Sequence, residues 1–483
     1  MGARTGADYL AGLKATGRDV WIGGERVEDV TVHPAFRNGA RSLARLYDMQ
    51  HDPALRDEMT YVERTSGERC GASFLIPHTQ DELLHRRRMM YRWAADTGGM
   101  MGRTPDYLNS SFMAFAAAAD YFAGGDRDFA GNVRRYYESI RGRDLCLTHT
   151  LINPQANRAA GPAAQADPHL TAAVIKEDDA GIVVRGARML ATLAPLSDEL
   201  AVFPSTVLKG QPEDRPYAFA LAVPCDAPGL RFICRDSFDL GRPVFDQPLA
   251  ARFEEMDCVV IFDDVHVPWE RVFLLGDVEK CNGAYGRTNA IVHMMHQVVT
   301  KNVAKAEFIL GLASLMVETI GVDGFQHVQE KVAEIITYLE TMRACLRAGE
   351  SDAALDEWGV LCPARAPLDI ARNVFPKMYP RMIEILQLLG ASGLMATPSE
   401  ADLESPIGGD IERFYQAANA GGRERVRLFR LAWDAAVSSF GSRQVLYERF
   451  FFGDPVRNYS TLFATYDKEP YKERIRRFLQ RED

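Results

Sequence analysis

The chain has no excess of positive charge: 56 Lys plus Arg stand against 66 Asp plus Glu, for a net charge of -10. Nucleic-acid surfaces need a concentrated basic field, so nucleic acid is not an expected partner. Long apolar runs are missing too. The longest, Phe112 to Ala119, stops at Asp120, well short of the roughly 20 residues that cross a bilayer. The start, MGARTGADYL, lacks an apolar signal core, and Gly6 stands where a myristoylation motif requires Ser or Thr. These absences predict a soluble, cytoplasmic protein with no membrane partner. Cysteines are few and scattered, at 70, 146, 225, 234, 258, 281, 345 and 362. With no C-x-x-C pair and no zinc-like spacing, a reduced protein without a structural metal is expected. A G-x-G-x-x-G after a strand, a Walker loop and a G-x-S-x-G elbow are all absent, which removes the usual support for Rossmann, phosphoryl-transfer and hydrolase chemistry.

What is present is a 483-residue chain, 47% hydrophobic and 25% charged, with material for two or three domains. From Thr5 to about Arg141 the pattern is mostly helical, as in SLARLYDMQ and DELLHRRRMMYRWAADTG. From about Asp144 to Val272 the period becomes two, and LTAAVIKEDDAGIVVRGARML, YAFALAVP, LRFICRD and CVVIFDDVHVP read as short strands between turns. Helices return at Asn289. The first is apolar around much of its circumference, implying burial on several sides, in a bundle or an oligomer core. The next carries Val328, Val332, Ile335, Leu339, Met342 and Leu346 on one stripe. Two further helices fit IARNVFPKMYPRMIEILQLLGASG and RERVRLFRLAWDAAVSSFGSRQVLYERFFFG. The fold class is therefore α+β: an N-terminal helical domain (1–143), a middle antiparallel β-barrel or sheet domain (144–272) and a C-terminal helical bundle with a tail (273–483). HRRR (His85 to Arg88) and RIRR (Arg474 to Arg477) read as solvated helix faces, and His293 with His296 as packed or capping histidines.

Between Met101 and Thr206 lie too many hydrogen-bonding side chains for an ordinary core. Arg103, Asp106, Tyr107, His149, Asn153, Gln155, Asn157, Arg158, Thr192, Ser205 and Thr206 sit mostly beside Gly, Pro or Ala. A ligand seat needs such placed polar groups within apolar walls. Thr104 resembles an N-cap, Pro105 a first helical residue and Asp106 a favourable first-turn acid, so Arg103 and Tyr107 meet at a helix entrance. An anion or a ligand hydroxyl fits there. His149, between two Thr, can hydrogen-bond a phenol or a flavin carbonyl and take a proton near neutral pH. Thr192 closes a strand where a hydroxyl can reach a ring, and Ser205 with Thr206 can bind a carboxylate behind the Pro204 turn.

These residues carry a resemblance. The helix, strand, helix order and VIFDDVHVPWERVFLLGD resemble the acyl-CoA dehydrogenase superfamily. GRTPDYLNSSF, LTHTLINPQANR, RMLATLAPLSDELAVFPST, RTNAIVHMMHQVV and YERFFFGDPVR, in that order and end to end, resemble the oxygenase components of 4-hydroxyphenylacetate 3-monooxygenases. The resemblance implies a two-component aromatic monooxygenase that takes reduced FAD (FADH2) from a separate NAD(P)H:flavin reductase. It then uses O2, through a C4a-hydroperoxyflavin, to hydroxylate a phenol ortho to its hydroxyl, 4-hydroxyphenylacetate becoming 3,4-dihydroxyphenylacetate. Arg103, Tyr107 and His149 would be catalytic. Thr104, Pro105, Asp106, Ser205 and Thr206 would complete the substrate site, the last two on the acid tail. FAD would contact His149, Thr150, Leu151, Gln155, Ala156, Asn157, Arg158, Thr192, Phe452, Gly453, Asp454 and Pro455. A dry site protects the reactive flavin, and the polar, turn-rich stretch from Pro204 to Arg215 is a candidate lid. A homotetramer or homodimer is implied as well.

Other readings stay open on the residues alone. A related monooxygenase could act on a chlorophenol, coumarate or a tyrosine-like phenol, and FMN is not distinguished from FAD. An acyl-CoA dehydrogenase-type flavoenzyme would need a Glu base and a CoA groove, neither of which can be assigned. A dehydratase relative would need cluster cysteines, which GGMMGRTPDYLN lacks. A flavin-binding assembly protein would keep the apolar helices and tolerate loss of Arg103 and His149.

Overall fold

The structure, a computed structural model, describes residues 2–203 and 208–481. Three helices lead to the first strand of the site. Helix α1 (Gln80–Asp96) starts at Thr79, whose side chain accepts from the Glu82 amide while Glu82 caps in return. Helix α2 (Asp106–Ala117) follows Pro105, already at helical dihedrals (φ -54°, ψ -31°), so the proline opens the helix where its missing N–H costs nothing. Thr104 lies just outside, with its carbonyl accepting from the Tyr107 amide. Helix α3 (Phe129–Arg143) is capped by Asp128 and ends at Asp144 in the left-handed region.

Two open sheets fill the middle. The N-terminal strands β1 (Asp19–Ile22) and β2 (Glu25–Val27) belong to the larger one. The remaining strands are β3 (Leu147–Thr150), β4 (Ala173–Glu177), β5 (Gly181–Thr192), β6 (Glu199–Val202), β7 (Phe219–Pro224), β8 (Leu230–Cys234), β9 (Asp257–Pro268) and β10 (Val272–Leu275). The six-stranded sheet runs β2-β1-β8-β9-β5-β4, and the four-stranded one β10-β7-β6-β3. Strands β4 and β5 join across the Asp178–Ala180 turn, as their period-two pattern predicts. The sheets depart from a wholly antiparallel reading, because β1 runs parallel to β8 and β3 parallel to β6. They also draw on the N-terminal segment, whose two strands are too short to show an alternation.

The centre of the C-terminal bundle is α4 (Ala290–Ile320), closed by Gly321 at φ +68°, a conformation glycine adopts without a Cβ penalty. Residues from Val292 to Ala306 are all buried, because α1, α2, α5 (Gln326–Ser351) and α6 (Arg365–Met395) pack around the helix. Each fully buried aliphatic side chain there contributes about 1.5–3 kcal/mol. The apolar circumference of α4 is thus satisfied within one chain and does not require a partner. The RERV to FFFG stretch is two helices, α7 (Gly422–Ala436) and α8 (Ser439–Phe450), because Ser438 caps a new start. Helices α9 (Pro455–Thr465) and α10 (Glu469–Leu479) follow. Both expose apolar side chains, including Val456, Phe463, Ile475, Phe478 and Leu479.

The basic run on α1 is a correction. Arg86 is 0% exposed, giving one hydrogen bond to the Ser110 hydroxyl at 3.0 Å and lying 3.4 Å from His293 Nδ1. Helical period explains it: Arg86 shares the inward face with Leu83 and Met90. The Arg474 to Arg477 run is solvated, as read. His293 and His296 are packed, with His296 Nε2 2.8 Å from Glu350 Oε1. No helix among the described residues is long and apolar enough to cross a membrane.

Candidate active site

The turn before α2 throws Arg103 and Tyr107 toward β3. The Arg103 guanidinium lies 4.3 Å from the centroid of the Tyr107 ring and 5.2 Å from that of Phe451, close enough for cation–π attraction. Tyr107 in turn stands 5.6 Å from the His149 imidazole and edge-on to Phe452 at 6.2 Å. His149 is held by β3, all of whose residues are buried, in register with Ala201 of β6. Residues from three separate segments, 103–107, β3 and 451–452, therefore meet in one aromatic-walled seat.

Its electrostatics are one-sided. Burial disfavours charge on Arg103, yet Tyr107, Tyr447 and Glu255 around it leave its pKa above the ordinary arginine value. His149 behaves oppositely. Burial, then Arg103, push its pKa well below the usual histidine range, so it is a neutral hydrogen-bonding group at physiological pH. It does not take a proton near neutrality, as its sequence context suggested. Among the described residues, Arg103 Nε and Nη1 and the hydroxyls of Tyr285 and Tyr447 are shielded from solvent and meet no hydrogen-bond partner. Unsatisfied buried groups cost about 1–3 kcal/mol each, so this cluster suits a planar ligand that brings oxygen acceptors. That is the donor set an aromatic alcohol and a flavin ring system need.

The other predicted residues fall into three places. Thr104 and Asp106 are buried, and the Asp106 carboxylate turns into the helical core, where Gln297 Nε2 donates to it at 3.0 Å. Burial raises its pKa to about 6 against the hydrogen bonds from Thr104 and Gln297. Pro105 sets the helix entrance. Thr150 donates to the Met189 carbonyl at 2.9 Å, while Leu151 is half-buried and Gln155, Ala156, Asn157 and Arg158 occupy an exposed loop after β3. The Phe452 to Pro455 turn is built by Arg372, which donates to the Phe452 carbonyl at 2.9 Å, by Gly453 at φ +111° and by Asp454 capping α9. Ser205 and Thr206, with Pro204 at the start of the candidate lid, lie outside the described residues.

Thr192 ends β5 beside β3: the Thr148 hydroxyl donates to its carbonyl at 2.6 Å. Its own hydroxyl donates to Asp257 Oδ1 at 2.6 Å. This exposes a set of charges that sequence reasoning missed. Arg443 of α8 donates to both Asp257 oxygens (2.8 and 3.0 Å) and to Glu255 Oε2 (3.1 Å), and Glu255 Oε1 accepts from the Arg103 amide at 2.7 Å. Burial alone would raise the Asp257 carboxyl, but Arg443 and Arg235 hold it well below the usual carboxylate range. Behind this, Lys301 and Lys305 of α4 share Glu448 Oε1 at 2.6 and 2.7 Å. Arg188 on β5 is buried, pairs with no carboxylate among the described residues, and donates to the Leu151 carbonyl at 3.2 Å and to Asn153 Oδ1, which ties the exposed loop to the sheet. Its position in RMLATLAP, at the strand carrying Thr192, was the available signal.

Known proteins match this chain over almost all of its length. Residues 5–274 match the family model described as 4-hydroxyphenylacetate 3-hydroxylase N terminal, and residues 281–480 its C-terminal counterpart. The oxygenase component of 4-hydroxyphenylacetate 3-monooxygenase from Thermus thermophilus is 55% identical, covering 99% of this chain and 98% of the relative. The component from Geobacillus sp. (strain PA-9) is 50% identical, covering 99% and 97%. A crystal structure of such a component, complexed with FAD and 4-hydroxyphenylacetate, superposes with a TM-score of 0.95 at 55% identity over 99% of this chain and 98% of that one. An archaeal 4-hydroxybutyryl-CoA dehydratase, at 20% identity and a TM-score of 0.89 over 100% and 96% of the two chains, shares the fold.

Proposed function

Because this chain belongs to the 4-hydroxyphenylacetate 3-hydroxylase family, we propose that its aromatic seat hydroxylates 4-hydroxyphenylacetate to 3,4-dihydroxyphenylacetate, using FAD and O2. The observation that carries the reading is the convergence of Arg103, Tyr107 and His149, with two guanidinium nitrogens that meet no partner among the described residues, in a chain with these relatives. Reduced FAD, when bound, supplies the two electrons with which dioxygen is activated. Everything else is positioning by the protein.

Neutral His149 accepts the phenol O–H, and Arg103 stabilises negative charge on the same oxygen. Electron density then rises at the ortho carbon, which is the nucleophile in the oxygen transfer. Tyr107 and Phe452 confine the ring. Ser205 and Thr206 take the carboxylate tail, and Thr104, Pro105 and Asp106 fix the helix entrance that aims Arg103 and Tyr107. FAD is held by His149, Thr150 and Leu151, by the Gln155 to Arg158 loop, by Thr192 and by the Phe452 to Pro455 turn. Burial of β3 and α2 keeps water from the reacting atoms.

The word component in the relatives' names supports a separate reductase that delivers the reduced flavin. Association of several copies is supported by the apolar side chains exposed on α9 and α10, and a cytoplasmic location by eight free cysteines. The decisive assay supplies chemically reduced FAD, oxygen and 4-hydroxyphenylacetate to the purified chain and follows catechol and peroxide separately. Catechol without added reductase is expected. Peroxide alone, with 4-hydroxyphenylacetate and with a panel of other phenols, contradicts the proposal.

A further inference from the structure

Strands β8 and β9 set Cys234 directly opposite Cys258. No other strand pairing among the described residues opposes two cysteines. The Arg235 amide donates to the Asp257 carbonyl at 3.2 Å, so residues 235 and 257 form a hydrogen-bonded pair of this antiparallel ladder. Cys234 and Cys258, one step along, therefore take the alternate, non-hydrogen-bonded kind, in which Cα atoms stand about 4.5 Å apart and side chains come closest. That spacing lies within the range a disulfide spans. Both side chains share the inward face, where Leu230 and Phe232 precede Cys234 on β8 and Val260 and Phe262 follow Cys258 on β9. The two thiols lie within hydrogen-bonding reach of each other. Their access differs. Cys234 ends β8 half-buried, whereas Cys258 is 3% exposed and its Sγ donates to the Ala191 carbonyl at 3.1 Å.

We propose that Cys234 and Cys258 form a dithiol site that hydrogen peroxide oxidises to a cross-strand disulfide and that reduction reopens. The inference goes beyond the flavin reading and does not depend on it, because peroxide from any source serves. Thiolate character and access govern attack on a peroxide, so half-buried Cys234 reacts first. Its thiolate takes one oxygen of the peroxide, the O–O bond breaks, and the departing hydroxide recovers the proton the thiol released. Cys234 is now a sulfenic acid. Burial holds the Cys258 thiol well above the ordinary cysteine pKa, which makes it the resolving partner. The Cys258 sulfur displaces hydroxide from the sulfenyl sulfur, and its own proton leaves with that hydroxide as water. Two thiols and one peroxide become one disulfide and two waters, the thiols losing two electrons and the peroxide gaining them. With Cys258 opposite, oxidation halts at a stage that thiol exchange reverses. Cys234 alone would climb to the sulfinic acid, which thiols do not recover. In a reducing compartment the bond is transient, as befits a pair that responds to peroxide.

The test treats the folded full chain with hydrogen peroxide, blocks remaining thiols with N-ethylmaleimide and maps tryptic peptides without reduction. Cleavage after Arg231, Arg235, Arg252 and Arg271 leaves Cys234 on FICR and Cys258 on FEEMDCVVIFDDVHVPWER, so a bond between them joins two separate peptides. The expected product is that linked pair, lighter than the sum of its parts by two hydrogens and lost on treatment with dithiothreitol. In Cys258→Ser the link should vanish, Cys234 should be captured by dimedone as the sulfenic acid, and longer exposure should carry it to the sulfinic acid. In Cys234→Ser the Cys258 thiol should stay unoxidised. If either variant does not fold, the wild-type map decides alone. Peptides that both carry maleimide after peroxide overturn the proposal. So do a link from either cysteine to a different one, and sulfinic acid at Cys234 in the wild type as abundant as in Cys258→Ser.

Discussion

The imidazole of His149 stands 5.6 Å from the ring of Tyr107, the two planes tilted by 33°. This contact joins the first turn of α2 to the middle of β3 and sets the width of the seat. Arg103, 4.3 Å from the same tyrosine ring, gives it a fixed positive charge, and the predictions follow from that arrangement.

Neutral His149 acts as an acceptor. Its replacement by Ala removes one buried hydrogen bond to the phenol and should lower hydroxylation by roughly tenfold, the cost of about 1–1.5 kcal/mol for a lost hydrogen bond, measured as catechol formed per reduced flavin. Burial and Arg103 hold its pKa well below the usual histidine range. The ¹⁵N shifts of this ring should therefore stay those of neutral imidazole down to pH 6. A midpoint near the ordinary value of about 6.5 would contradict the assignment.

Arg103 contributes through Nε and Nη1, which meet no partner among the described residues. Arg103→Met keeps much of the packing against Tyr107 and removes the donors, so the phenol should bind about ten- to a hundredfold more weakly, the range for a lost charged hydrogen bond. Calorimetric titration of the folded variant checks this, and an unchanged affinity would place the phenol elsewhere.

Asp106 titrates near 6 because burial outweighs its hydrogen bonds from Thr104 and Gln297. A raised carboxyl pKa means that the fold favours the protonated acid. That contribution is complete below the ordinary value of 3.8 and is lost as pH climbs through 6. Asp106→Asn removes the titration. Its stability relative to wild type should therefore grow by roughly 1–1.5 kcal/mol between pH 5 and pH 8, read from urea unfolding. A pH-independent difference would show that Asp106 is not strained in its ionised form.

Glu448 offsets two buried ammonium groups at once. Burial lowers the pKa of Lys305 to about 8 even so. Glu448→Gln leaves both cations without a carboxylate and should destabilise the chain by about 3–5 kcal/mol. Chemical denaturation measures it, and a loss under 1 kcal/mol would mean that the pair is hydrated rather than buried.

Much of this architecture was legible from residue patterns. The Asp178–Ala180 turn marks the β4–β5 hairpin, the all-round apolar character of α4 marks a central helix, and the Thr-Pro-Asp start of α2 marks the entrance that brings Arg103 to Tyr107. The charged hub was not legible. Glu255 and Asp257 in FEEMD, Arg443 in GSRQ, and Lys301, Lys305 and Glu448 on helices all read locally as solvated residues. Each is buried only because a remote segment supplies its counter-charge, and one-dimensional periodicity carries no information about that pairing. Arg86 is different: no carboxylate pairs with it among the described residues, and its place on the inward face of α1 with Leu83 and Met90 was there in the helical period. Strands β1 and β2 escaped notice because three or four residues are too few for an alternation to register.

The most direct measurement is a crystal structure of this chain with FAD and 4-hydroxyphenylacetate both bound. The account predicts the phenol oxygen within hydrogen-bonding distance of His149 and Arg103, the ring against Tyr107, and the flavin ring beside the Thr192 hydroxyl. A phenol seated away from Arg103 and His149, with their side chains still unpaired, would contradict it.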